Sequence, residues 1–109
     1  MAEILGTFEQ AVLLAILRLG KDAYGRAILR AMDQALAREV AAGAVYATLD
    51  RLEEKAYVTS RLAAGTPDRG GRPRRFFRVT ASGVRALNEA KATLETLWRT
   101  VSWPIGGEA

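Results

Sequence analysis

Five arginines fall within ten residues, Arg69, Arg72, Arg74, Arg75 and Arg78, and no acid interrupts them. A guanidinium presents its donors in a planar fork that matches phosphate oxygens, so a cluster this dense is chemistry for an anion. Gly70 and Gly71 sit among them and let the backbone turn tightly and approach another surface closely. The aromatic and β-branched run from Phe76 to Thr80 has the composition of a strand leaving that turn. A basic tip on an apolar strand suits contact with phosphate. Taken alone, the same residues also describe a solvated charged loop.

Other chemistry is scarce. The chain has no cysteine, which excludes disulfides and thiolate metal sites, and no histidine, which removes the commonest general base and metal ligand. Serine, tyrosine, lysine and carboxylates remain, but none is arranged as a nucleophile with its base. The paired glycines lack the following Lys-Ser/Thr of a phosphate-binding P-loop. Neither catalysis nor a bound metal or cofactor is expected.

The elements that must position the arginines belong to a chain of 109 residues, the length of one domain with a modest core. Half of the residues are hydrophobic, and the net charge is +4 with a pI near 10.0, a balance that permits nucleic-acid binding. The longest apolar run, Ala11 to Leu17, is too short to cross a bilayer, and Arg18 ends it. Residues 1–10 carry two glutamates and no basic residue, unlike a secretory signal. The expectation is a cytoplasmic protein without membrane association.

Thr7 with Gln10 forms a capping-box pattern for a first helix over Phe8 to Leu19, apolar almost all round, with Gly20 as its stop. Asp22 is placed to cap a second helix, Ala23 to about Leu36. Tyr24, Ile28 and Met32 form its stripe, with Arg26 and Arg30 off it. A third helix spans about Gly43 to Lys55, with Val45, Leu49 and Leu52 facing the core. At 100° per residue, Gly43, Ala47, Asp50 and Glu54 lie opposite, flanked by Tyr46 and Arg51. Strands are expected over Tyr57 to Leu62 and Arg75 to Val79, around a loop from Ala63 to Pro73. Thr80 or Ser82 then caps a last helix reaching about Ser102. The order ααα-β-β-α, mainly α with a small β-hairpin, describes a winged helix-turn-helix closed by a long C-terminal helix. On this pattern residues 1–80 are expected to form a DNA-binding unit, and residues 81–109 a dimerisation helix and tail.

The chain resembles the PadR family of bacterial transcriptional regulators, in the short form with a single C-terminal helix. The resemblance lies in Ala23-Tyr24-Gly25, in Gly43-Ala44-Val45-Tyr46 and in Thr48-Leu49-Asp50-Arg51-Leu52-Glu53. It continues through Arg69-Gly70-Gly71-Arg72 and Arg75-Phe76-Phe77-Arg78-Val79-Thr80, with Gly83 and Leu87. It implies a homodimeric repressor on a pseudo-palindromic operator, with the third helix in the major groove and the hairpin on flanking backbone or minor groove. It also implies a dimer built by the last helix and, in many members, release by a small molecule. Two departures stand out. Ala41-Ala42 replaces the usual capping serine, at a cost of about 1 kcal/mol, and Ala56 replaces a glycine after the third helix.

On this reading, Gly43, Tyr46 and Ala47 let the N-terminal half of helix three enter the groove, while Asp50 and Glu54 are repelled by phosphate. Tyr46 either contacts phosphate or a thymine methyl, or is a half-buried core tyrosine. Arg51 either reaches DNA or pairs with Glu54. Arg69, Gly70, Gly71, Arg72, Arg74 and Arg75 supply the basic wing, with Arg78 on the solvent face of its strand. Tyr24 fits core packing better than phosphate contact. Val84, Leu87, Lys91, Leu94, Trp98 and Val101 recur at three- and four-residue steps, and Leu97 broadens a seam that points to self-association. Trp98 is either an interface tryptophan or the wall of a site for a small aromatic effector. Double-stranded DNA is the expected partner. The alternative is a winged helix that presents its arginines to an acidic protein.

Overall fold

The computed structural model describes residues 4–67 and 70–102. Its elements are α1 (Thr7–Leu19), a 3-10 turn (Gly20–Asp22), α2 (Gly25–Leu36), α3 (Ala42–Glu54), β1 (Val58–Ala63), β2 (Arg74–Val79) and α4 (Ala81–Arg99). This is the winged helix-turn-helix order expected from the sequence.

Local chemistry at the helix ends differs from the sequence pattern. Gly6, not Thr7, is the N-cap of α1, and its N–H donates to Glu9 Oε1 at 3.3 Å. That register places a carboxylate at the positive end of the helix. Gln10 instead donates from Nε2 to the Leu5 carbonyl at 2.8 Å. Asp22 does not cap α2, which starts later, at Gly25, with extended Tyr24 before it. The reason is tertiary. Phe77 N–H donates to the Ala23 carbonyl at 2.8 Å and Tyr24 forms an isolated antiparallel bridge to Phe76, so residues 23–24 are held against the edge of β2.

No side chain caps α3, whose N-cap is Ala41. Its C-terminus closes with Tyr57 N–H on the Leu52 carbonyl at 2.9 Å and Ala56 N–H on the Glu53 carbonyl at 3.0 Å. The price is φ +64° at Ala56, the left-handed conformation that a glycine would take without strain.

The core lies between the three helices and one face of the hairpin. Leu13, Ile28, Met32, Leu49, Leu52 and Val58 are each less than 2 % exposed, and each contributes about 1.5–3 kcal/mol by leaving water. Strands β1 and β2 are antiparallel with Val58 opposite Val79 and Arg61 opposite Phe76. Alternation therefore buries Val58 and Phe77 and turns Arg61, Phe76 and Arg78 to the other face.

Thr80, not Ser82, caps α4. Its Oγ1 accepts from Gly83 N–H at 3.1 Å and donates to the Ala56 carbonyl at 2.7 Å. Gly83 brings the helix close to its neighbours, for a Cβ there would strike the Tyr57 carbonyl and stand 2.7 Å from Val79 Cγ1. Gly83, Ala86, Leu87 and Ala90 are buried, so the first half of α4 belongs to the core and the second half leaves it.

Candidate nucleic-acid interface

Helix α3 presents Gly43, Tyr46, Ala47, Asp50 and Arg51 to solvent, opposite its buried Val45, Leu49 and Leu52. Tyr46 is 46 % exposed, and its ring lies over Gly25 at the start of α2. A Cβ on Gly25 would stand 2.6 Å from Tyr46 Cε1, so the absent side chain makes room for the ring. Arg51 Nη2 donates to Thr48 Oγ1 at 3.0 Å rather than pairing with Glu54. Thr48 is the one buried polar residue among the described residues, and Arg51 satisfies it.

Tight turning at the wing tip comes from Gly70 and Gly71, at φ +68° and +76°. Their N–H groups close on the Pro67 carbonyl at 3.1 Å and the Thr66 carbonyl at 2.9 Å. Arg69 lies outside the described residues. Arg72 is exposed beside the glycines. The Arg74 guanidinium lies 3.9 Å from the centroid of the Tyr24 ring, a cation–π contact. At the wing base Arg75 Nη1 donates to Ser60 Oγ at 2.9 Å, and Ser60 Oγ donates to Glu53 Oε2 at 2.7 Å. The hairpin is thereby tied to the end of α3, and one of that helix's acids is screened.

These parts frame a groove of about 590 Å³ lined by α3 (Tyr46, Leu49, Asp50), the start of α2 (Tyr24, Gly25, Arg26) and the wing from Arg72 to Arg75. Four of its lining residues are arginines and one is a carboxylate, so the groove attracts anions. Sequence reasoning missed Gly25 and Arg26. The signal for Arg26 was its place off the apolar stripe, together with Arg30 one turn later. Tyr24 was misplaced: it precedes α2 in extended backbone, half-buried against arginines and Phe76, rather than in the core. Arg30 Nη2 donates to its hydroxyl at 3.2 Å.

The residues expected at a dimer seam divide in two. Leu87 is only 9 % exposed and sits in the core of its own chain. Val84, Lys91, Leu94, Leu97, Trp98 and Val101 are exposed, with Leu97 at 56 %. The exposed Leu14 and Leu17 of α1 join this surface, so the helix that is apolar almost all round is not buried on every side. Leu14, Leu17, Leu94 and Trp98 line an apolar hollow of about 550 Å³. Among the described residues, no helix is long and apolar enough to cross a membrane.

A helix-turn-helix beside an arginine-bearing hairpin defines a winged-helix DNA-binding protein. The family model of the PadR-like transcriptional regulators matches residues 13–89, and the chain belongs to that family. It is accordingly a DNA-binding transcriptional regulator, of a family of regulators rather than enzymes. Among solved structures, it is similar to a PadR-family transcriptional regulator from Eggerthella lenta (26% identity, 89% of this chain and 82% of that one, TM-score 0.68). It is also similar to a PadR-like transcription factor from Bacteroides fragilis (27% identity, 87% and 86%, TM-score 0.72). A PadR-like regulator from Bacillus cereus shares the fold at 23% identity over 94% and 95% of the two chains, with a TM-score of 0.74. No curated protein matches the chain.

Proposed function

We propose that the chain is a repressor that binds a pseudo-palindromic operator as a homodimer. The observation that carries this reading is the arginine-lined groove beside the uncharged N-terminal half of α3. Gly43, Tyr46 and Ala47 approach the major groove, where the helix dipole favours phosphate. Arg72 and Arg74, with Arg69 and the Gly70-Gly71 turn, engage flanking backbone or minor groove. Arg75 and Arg51 are tethered to Ser60 and Thr48, and they reach DNA by exchanging those neutral partners for phosphate. The wing carries much of the affinity. Base selection depends on few side chains and on DNA shape.

Residues 81–109 serve the dimer, in which Val84, Lys91, Leu94, Leu97, Trp98 and Val101 meet a second copy and cover Leu14 and Leu17. An exposed apolar surface of this kind on so small a domain supports self-association. A two-fold dimer then presents its α3 helices about one DNA turn apart, roughly 34–36 Å. Leu87 supports that surface from inside the fold. The hollow beside Trp98 has the size and apolar lining for a small aromatic effector that releases DNA.

The test is a titration of random and genomic duplexes at several salt concentrations. Selection of inverted half-sites with a steep salt slope is the expected result. Replacing Arg72 and Arg74 by alanine should weaken binding to all sequences and flatten the slope. No binding at low salt would refute the proposal, and unchanged affinity of the double variant would remove the wing from it.

A further inference from the structure

Tyr24 stands where three side chains converge. Arg30 Nη2 donates to its hydroxyl at 3.2 Å, the Arg74 guanidinium lies 3.9 Å from its ring centroid, and Phe76 meets the ring edge-on at 5.6 Å. The backbone fixes the site as well, through the bridge from Tyr24 to Phe76. One side chain thus gathers a cation from α2 and another from the wing, at the margin of a groove whose four arginines face one carboxylate.

Two like charges brought to one point repel each other, and a neutral ring relieves that only in part. An anionic oxygen acid between them would offset that repulsion and accept hydrogen bonds from both sides. The donors remain in place for one. Tyr24 accepts a hydrogen bond from Arg30 and keeps its own proton to donate. A guanidinium lying over a ring face keeps its N–H fork for other acceptors. Arg30's hydrogen bond also holds the Tyr24 hydroxyl below the usual tyrosine pKa, against the opposing effect of burial, with the charge of Arg74 adding to the effect. A more acidic hydroxyl is a better donor. The nearby Asp22 acts in the opposite direction and is outnumbered.

We propose that Tyr24, Arg30 and Arg74 form a preassembled seat for one DNA backbone phosphate in each protomer, with the tyrosine hydroxyl donating and the two guanidiniums flanking. The proposal rests on the DNA-binding reading above and adds Tyr24 and Arg30 to its contacts. The seat joins α2 to the wing, so a phosphate bound there fixes the wing's angle to the helix pair.

The experiment compares the full chain with Tyr24→Phe and Arg30→Gln on one selected operator duplex, by fluorescence anisotropy across a salt series. Tyr24→Phe keeps the ring under Arg74 and loses only the donor, and unchanged thermal melting verifies that the fold is intact. Its affinity should fall about a hundredfold, roughly tenfold for each of the two protomers, as for a hydrogen bond to a charged group. Arg30→Gln should lower the log–log salt slope by about one per protomer. The double variant should lose less than the sum of the two, because both act on one phosphate. Wild-type affinity and salt slope in both single variants would overturn the seat while leaving the DNA-binding reading standing. Failure of the unaltered chain to bind any duplex would overturn both.

Discussion

Substituting alanine for Gly25 should lower DNA affinity with little effect on the fold, and the contact geometry says by how much. The new Cβ would lie 2.6 Å from Tyr46 Cε1 and 3.1 Å from its hydroxyl oxygen. Carbon atoms rest at about 3.5–4.0 Å, so the ring must retreat by about 1 Å. The ring is the far end of a flexible, half-exposed side chain and can move outward. Gly25 is the first residue of α2, where alanine gains less than the roughly 0.5–1 kcal/mol it gains over glycine inside a helix, and this offsets part of the crowding. Melting temperature, followed by circular dichroism, should therefore shift by only a few degrees. A hydroxyl displaced by about 1 Å no longer meets a phosphate within hydrogen-bond range. A hydrogen bond to a charged phosphate is worth at least about 1.5 kcal/mol, so two half-sites lose about 3 kcal/mol, or roughly a hundredfold in Kd by anisotropy. In a Tyr46→Ala background the same substitution should cost almost nothing. Additive losses in that cycle, or undiminished affinity of the single variant, would refute the role given to Gly25.

Three further outcomes are expected. Ala56→Gly should stabilise the chain by about 1 kcal/mol in urea unfolding, because φ +64° strains alanine and not glycine. Glu9 is raised by burial, but Lys55 at 2.9 Å and the Gly6 N–H outweigh this and leave its pKa below the ordinary carboxylate value. A depressed folded pKa contributes stability above the unfolded value of about 4.3, lost as pH falls through the folded one. Urea titrations below about pH 4.3 should show that loss in the native chain and not in Glu9→Gln. Leu97→Glu, on the exposed part of α4, should halve the mass seen by sedimentation at micromolar concentration. A dimeric variant would take Leu97 out of the interface.

Local pattern carried most of the architecture. Val45, Leu49 and Leu52 declared the inner face of α3, and the Gly70-Gly71 turn between two strands declared the hairpin. What escaped was set by partners distant in sequence. The Tyr24, Ile28, Met32 periodicity extends one residue set too far, because the Ala23 carbonyl is claimed by Phe77 and forces Tyr24 out of the helix. Thr80 and Ser82 are equivalent as local caps, and the Ala56 carbonyl decides between them. Leu87 and Leu94 share one seam by spacing, yet only the fold reveals that the first faces its own core. Gly25 mattered through Tyr46, which no local window contains. At the candidate site, the arginines of the wing were legible as a cluster, but not which were tethered to Ser60 or stacked on Tyr24.

The hydroxyl of Thr80 caps α4 and holds the Ala56 carbonyl, so one side chain joins the segment just past α3 to the root of the helix that carries the apolar surface. Mechanically this is a pivot with a long arm. Nineteen helical residues span about 28 Å, and a tilt of about 5° at the root swings the far end by about 2–3 Å. That displacement approaches the roughly 3.4 Å rise of one base pair. In a dimer joined through α4 that binds DNA as proposed, a slight repacking around Trp98 would therefore shift the two α3 helices out of step with successive turns of DNA. Gly83, crowded against Tyr57 and Val79, leaves that pivot little slack.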